Sequence, residues 1–172
     1  LFNLAGRKGD AVAFYRQLAA LAQKVGLNDR VGGYFELARA IDPLCHELRR
    51  EQAEWKLACG DPDGGINDLF ALATHDLEYG AVEEGKAVLE RIADLAPADI
   101  DKRIRVGRCL ERAGLETDAF ESYVVLARSL GEQKRWDAAQ AICEEVRRLR
   151  PMDPATLELR IETHLALKQR VE

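Results

Sequence analysis

The stretch from Glu116 to Pro151, ETDAFESYVVLARSLGEQKRWDAAQAICEEVRRLRP, decides the fold. Its apolar residues fall in steps of three and four: Phe120, Tyr123, Val124, Ala127 and Leu130 in the first half, Ala139, Ile142, Cys143 and Val146 in the second. That is the period of helices buried along one face; the two-residue alternation of a half-buried strand is absent. The spacing predicts helices over 117–131 and 136–149. A further helix is expected just upstream, over 99–113. Gly114 closes it, because glycine reaches positive φ without steric cost, and Pro151 follows the last helix because proline cannot continue one. Asp153-Pro154 then has the cap-and-proline order of a new helix start.

Outward from this stretch the chain repeats itself. Pro43, Pro97 and Pro151 stand 54 residues apart, and the same shift superposes Leu18, Leu72 and Leu126, each followed by alanine (Ala19, Ala73, Ala127), and Glu36, Glu90 and Glu144. Ala11, Gly65 and Ala119 share a small position, and Ile41, Leu95 and Leu149 an aliphatic one before the proline. Gly6, Gly60 and Gly114 also coincide, so a turn is expected at Gly6–Ala11 and at Asp61-Pro62-Asp63-Gly64-Gly65 as at Gly114. A fixed period of this kind marks an array of stacked supersecondary units. Three helices per 54-residue unit follow. The divisions are a partial unit over 1–43, units over 44–97 and 98–151, and the start of another over 152–172, together one array over 1–172 and a piece of a longer chain.

The residues of the repeat resemble those of the tetratricopeptide repeat (TPR) family. Tyr123, Leu126, Ala127, Leu130, Ala139, Cys143, Val146 and Pro151 match its order of large, leucine, small and large, then small, large and small, then proline. Tyr15, Leu18, Ala19, Ala22, Val31, Phe35, Ala38 and Pro43 form an earlier copy, and Leu69, Leu72, Ala73, Asp76, Gly85, Leu89, Ile92 and Pro97 another, which departs from the pattern at Asp76 and Gly85. The family unit is about 34 residues, so the helices at 44–59 and 99–113 are additions; with Gly107 as its small position, the helix at 99–113 pairs with that at 117–131, which then serves two overlapping hairpins. The resemblance implies an all-α, TPR-like α-α superhelix of about nine helices, with a concave surface that takes a protein or peptide partner.

Composition bounds the function. Among 172 residues 47% are hydrophobic and 32% charged, as in a folded globular chain. A net charge of -5 and a pI near 5.4 argue against nucleic acid, whose binding draws on excess Lys and Arg. No apolar stretch is long enough to insert in a membrane, and the first residues lack a signal peptide's pattern, so a cytoplasmic location is expected. An excess of arginine over lysine, 18 to 7, fits a bacterial source of high GC content. Cys45, Cys59, Cys109 and Cys143 form no CxxC pair, and His46, His75 and His164 have no ligand spacing, so neither metal nor other cofactor is expected. There is no GxSxG, GxxxxGK[ST] or HExxH, so an enzyme is not expected either.

What remains is binding. In the family the groove is lined mainly by the first helix of each hairpin. On the helix at 99–113, Arg105, Arg108 and Arg112 share one face and suit carboxylates or phosphate, and Arg128 extends them from the next helix. Against that stands a solvated helix face, with Asp101 four residues before Arg105. The helix at 44–59 carries Glu47, Glu51 and Glu54 among Arg49 and Arg50, so no basic strip runs along the array. Trp55 and Trp136 are either binding anchors or covers on a hairpin core, and Arg147, Arg148 and Arg150 offset a helix dipole. The leading expectation is a protein-interaction scaffold. Its alternatives are a structural segment forming homo-oligomers through apolar repeat ends, and a regulatory or spacer region of a multidomain signalling protein.

Overall fold

The computed structural model describes residues 4–171. Among the described residues there are nine α-helices and no strand: α1 (Leu4–Lys24), α2 (Asn28–Ile41), α3 (His46–Ala58), α4 (Pro62–Glu78), α5 (Val82–Leu95), α6 (Ile100–Arg112), α7 (Glu116–Glu132), α8 (Trp136–Leu149) and α9 (Pro154–Val171). The 54-residue register reappears in the bounds. α2, α5 and α8 start at 28, 82 and 136 and end at 41, 95 and 149, and α3 and α6 span 46–58 and 100–112.

The chain divides into two compact units, Leu1–Asp76 and Leu77–Glu172. In the first, Val12, Ala19, Ala22, Val31, Phe35, Ala38 and Leu48 pack together from α1, α2 and α3. The second holds a larger core from α7, α8 and α9, including Tyr123, Leu126, Ala127, Leu130, Ala139, Cys143, Val146 and Leu159. Each helix buries one stripe and is stable only through its neighbours.

The helix ends show which turn signals act. Gly60 and Gly114, with φ of 83° and 76°, close α3 and α6 as the sequence predicts, and Gly26 and Gly80 (77° and 84°) do the same after α1 and α4. Gly6 does not mark a turn, since α1 runs through it from Leu4 to Lys24. Glycine permits positive φ but does not impose it, and inside a long helix it costs only about 1 kcal/mol. After α7 the register of Gly26 and Gly80 falls on Lys134, which takes φ 58° without being glycine. The turn is kept because Arg135 N–H bonds to the Leu130 carbonyl at 2.9 Å, as Leu27 N–H does to Ala22. Asp99 caps α6 by accepting from the Lys102 N–H at 3.0 Å. It also meets Lys102 Nζ, and these bonds hold its carboxyl below the ordinary range.

Candidate interaction site

In the first unit α1 and α3 form the walls of a groove of about 750 Å³, floored by Phe35 of α2 and by Trp55. The rings of Phe35 and Trp55 lie 5.8 Å apart. Trp55 seats so close to Gly32 that a methyl there would stand 3.0 Å from its Cη2. One side of the tryptophan thus covers the core while the other faces the groove. Its Nε1–H is buried with no hydrogen-bond partner. Across the walls Arg16 donates to both oxygens of Glu51, at 2.9 and 2.6 Å. This fork is the strong geometry for such a pair and raises the arginine's pKa further. Arg50 and Glu54 add a charge of each sign to the rim. α1, the first helix of its hairpin with α2, forms one wall, and the sequence singled out no groove residue on it.

In the second unit Arg105, Arg108 and Arg112 are exposed on α6. They occupy, one repeat later, the positions of Glu51, Glu54 and Ala58, so the stripe read from the sequence lies in the register that lines the groove on α3. Arg108 Nη2 is 3.9 Å from Glu145 of α8 and its side chain remains 62% exposed. Arg128 lies in the register of Ala20 and approaches Glu158 of α9 at 3.7 Å. The ion pairs of Arg108 and Arg128 therefore run to different helices.

The cluster at the end of α8 has internal partners. Arg148 donates to Glu111 Oε2 at 2.6 Å and to Glu145 at 3.0 Å, and Arg147 to Glu144. Arg150 bonds Thr117 and lies over the Phe120 ring. Glu111 also accepts the Tyr123 hydroxyl at 2.9 Å, and burial beside that carboxylate raises the phenol's pKa. Trp136 packs against Gly131 at the end of α7, in keeping with the second of the two roles open to it in the sequence.

No family model matches the chain, and no curated protein does. Among solved structures it is similar to MamA, at 13% identity over 95% of each chain with a TM-score of 0.36. It is also similar to YrrB, described as a TPR protein with an unusual peptide-binding site, at 13% identity over 85% of this chain and 90% of that one, TM-score 0.32. A thermophilic TPR protein of Thermus thermophilus, TTC0263, shares 19% identity over 93% of this chain and 98% of that one, TM-score 0.30. The chain's own packing decides the fold class. In the copy over Glu116–Pro151, Tyr123, Leu126, Ala127, Leu130, Ala139, Cys143 and Val146 are all at most 2% exposed, and the small residue of α6, Gly107, receives the Tyr123 ring. The repeat is TPR-like. Within it α7 packs on both α6 and α8.

One departure from the TPR-like pattern was visible in the sequence, but its partner was not. Asp76 stands where the other copies have Ala22 and Leu130, and it is 2% exposed. His46 Nε2 meets its Oδ1 at 2.6 Å, and His75 Nδ1 lies at 3.7 Å. The corresponding pair one repeat later is Leu130, buried in the apolar core, and Ile100, partly buried against it. No group of three or more metal-ligating side chains occurs among the described residues, and none of their helices is long and apolar enough to cross a membrane.

Proposed function

We propose that the chain is a non-catalytic interaction scaffold that takes a partner's peptide or helix in the groove between α1 and α3. The observation that carries this reading is the groove's lining: an apolar floor of Phe35 and Trp55 between charged rims. Binding clefts combine apolar area with a few polar groups that fix orientation, and tryptophan is among the residues enriched at binding anchors. Arg105, Arg108, Arg112 and Arg128 belong to the same reading as contacts for carboxylates of the partner. A structural reading, self-association through α1 and α9, is favoured by the apolar stripes those helices expose.

Peptides selected on the immobilised chain, then titrated while Trp55 fluorescence is followed in a Trp136→Phe background, test the scaffold. Replacing Arg16 with Ala, with the fold checked by circular dichroism, is expected to weaken the selected peptides at least about tenfold, since a charge-assisted bidentate pair shapes the rim. The triple change of Arg105, Arg108 and Arg112 to Glu is expected to weaken acidic peptides selectively. The proposal fails if no peptide binds more tightly than about 1 mM, or if binding survives both sets of changes.

A further inference from the structure

We propose that the cavity bounded by α5, α6 and α7 in the second unit binds a free apolar α-amino acid. The cavity measures about 250 Å³, where roughly 150 Å³ suffices for a six-membered ring. Its floor is Leu89 of α5 with Val106 and Leu110 of α6, all at most 5% exposed. Lys86 and Asp118 pair across one end, near the starts of α5 and α7. α6 runs the other way, so Arg103, in its first turn, lies at the far end, about 10 Å along the helices from Leu110. Between the two ends Glu90 and Glu121 stand exposed at the mouth.

The preceding repeat shows how the space arises. There the same positions carry long polar side chains that bond one another: Gln52 donates to Glu36, and Lys56 pairs with Asp68. In register, Val106, Leu110 and Ser122 replace Gln52, Lys56 and Asp68, and Leu89 and Ala93 replace Phe35 and Arg39. Shorter side chains at all five positions open the cavity and leave its floor apolar. Lys86 and Asp118 stand where that repeat has Gly32 and Gly64, so the closing ion pair belongs to the cavity's own repeat. Arg103 keeps its type but not its partner. Its copy Arg49 donates from Nε and Nη2 to the Pro43 carbonyl, at 3.0 and 2.7 Å. The Arg103 Nε–H is buried with no acceptor. That is the costly state for a donor, and a carboxylate is the acceptor that relieves it most strongly.

The charges select the ligand. Lys86 and Asp118 neutralise each other, which leaves Arg103 to attract a carboxylate and Glu90 and Glu121 to repel a ligand that is only anionic. A zwitterion meets both signs: its carboxylate accepts from Arg103 and its ammonium donates to Glu90 or Glu121, while an apolar side chain covers Leu89, Val106 and Leu110. A residue at either end of a peptide lacks one of the two charges, so the free amino acid is the matching form. The site is separate from the surface assigned to a partner, because residues 103, 106 and 110 lie on the opposite side of α6 from Arg105, Arg108 and Arg112.

The test is isothermal titration calorimetry of the 172-residue chain with L-leucine and with L-phenylalanine. At least one is expected to bind with a Kd below about 1 mM. The better of the two is then compared with its N-acetyl form, which lacks the ammonium, and its amide, which lacks the carboxylate; each should bind at least about tenfold more weakly. Arg103→Gln should weaken the amino acid at least about tenfold yet leave the amide unchanged, a contrast that a purely structural arginine does not give. Val106→Gln with Leu110→Lys and Ser122→Asp, which copies the preceding repeat, should abolish binding. If circular dichroism shows that this triple variant does not fold, Ala93→Arg, which copies Arg39, replaces it. Failure of both amino acids to bind more tightly than about 1 mM overturns the proposal. So does an N-acetyl form or amide that binds as tightly as the amino acid, an equal loss of amino acid and amide in Arg103→Gln, or a filled cavity that still binds. None of these titrations involves the α1–α3 groove, so their outcome stands whatever the peptide selection yields.

Discussion

Gly107→Ala is a small change with a large expected effect. A methyl at residue 107 would lie 2.4 Å from Tyr123 Cζ, 2.5 Å from Cε1 and 2.9 Å from the hydroxyl oxygen. Carbon atoms rest at about 3.5–4.0 Å, so the ring must retreat by roughly 1.2 Å or α6 and α7 must part. Neither movement is cheap. The ring is wholly buried and rigid, and its hydroxyl donates to Glu111. Overpacking of this kind costs about 1–3 kcal/mol, and loss of a hydrogen bond to a charged group about 1.5–3 kcal/mol. Alanine regains about 1 kcal/mol through helix propensity. A net loss of about 2–3 kcal/mol follows. The preceding repeat offers the control, because it has Ala53 and Leu69 at the positions of Gly107 and Tyr123, and both are buried. Tyr123→Leu alone should cost about 2–4 kcal/mol by leaving a cavity. The double variant, which reproduces the Ala53 and Leu69 combination, should be at least about 1 kcal/mol more stable than the two losses added together, because the leucine vacates the space the methyl needs. Urea denaturation followed by circular dichroism measures all four corners of the cycle. Additivity within about 0.5 kcal/mol would refute the interlock of Gly107 with Tyr123.

Two further outcomes follow from positions where one repeat differs from its neighbours. Lys134 carries the positive φ that Gly26 and Gly80 carry elsewhere, so Lys134→Gly should raise stability by up to about 1 kcal/mol in the same denaturation assay, the left-handed strain outweighing the glycine's extra unfolded-state entropy; a loss would mean that the turn holds the lysine without strain. His46→Ala should destabilise by about 2–4 kcal/mol by stranding the buried Asp76, whereas His46→Ile with Asp76→Leu, copying Ile100 and Leu130, should equal or exceed the wild type. A double variant less stable than His46→Ala would show that the polar pair is not exchangeable for its apolar counterpart.

These positions also show how far the sequence could be read. Helix type, number and register were legible because they depend on periodicity: the apolar steps and the 54-residue shift foretell α7 and α8 to within a residue, and the small position at Gly107 foretells its partner. The turn expected at Gly6 was not realised, because glycine only allows a chain reversal and the surrounding residues decide whether it occurs. Tertiary pairings of charged side chains were less accessible. Arg16 with Glu51 spans 35 residues and His46 with Asp76 spans 30, and no local pattern selects either pair.

The repeat nevertheless contains that information in a different form. Because each position has a counterpart 54 residues away in the same fold, a residue out of character with its copies marks a place where the local environment has changed. Asp76 among Ala22 and Leu130 leads to a partly buried histidine, and Lys134 among Gly26 and Gly80 to a left-handed turn. Phe14 is exposed where Asp68 and Ser122 are partly buried. Packing positions agree between copies since every unit must bury the same stripe. Disagreement between copies is therefore where this chain's particular chemistry is written, and Arg105, Arg108 and Arg112 stand in register where α3 lines its groove with Glu51, Glu54 and Ala58.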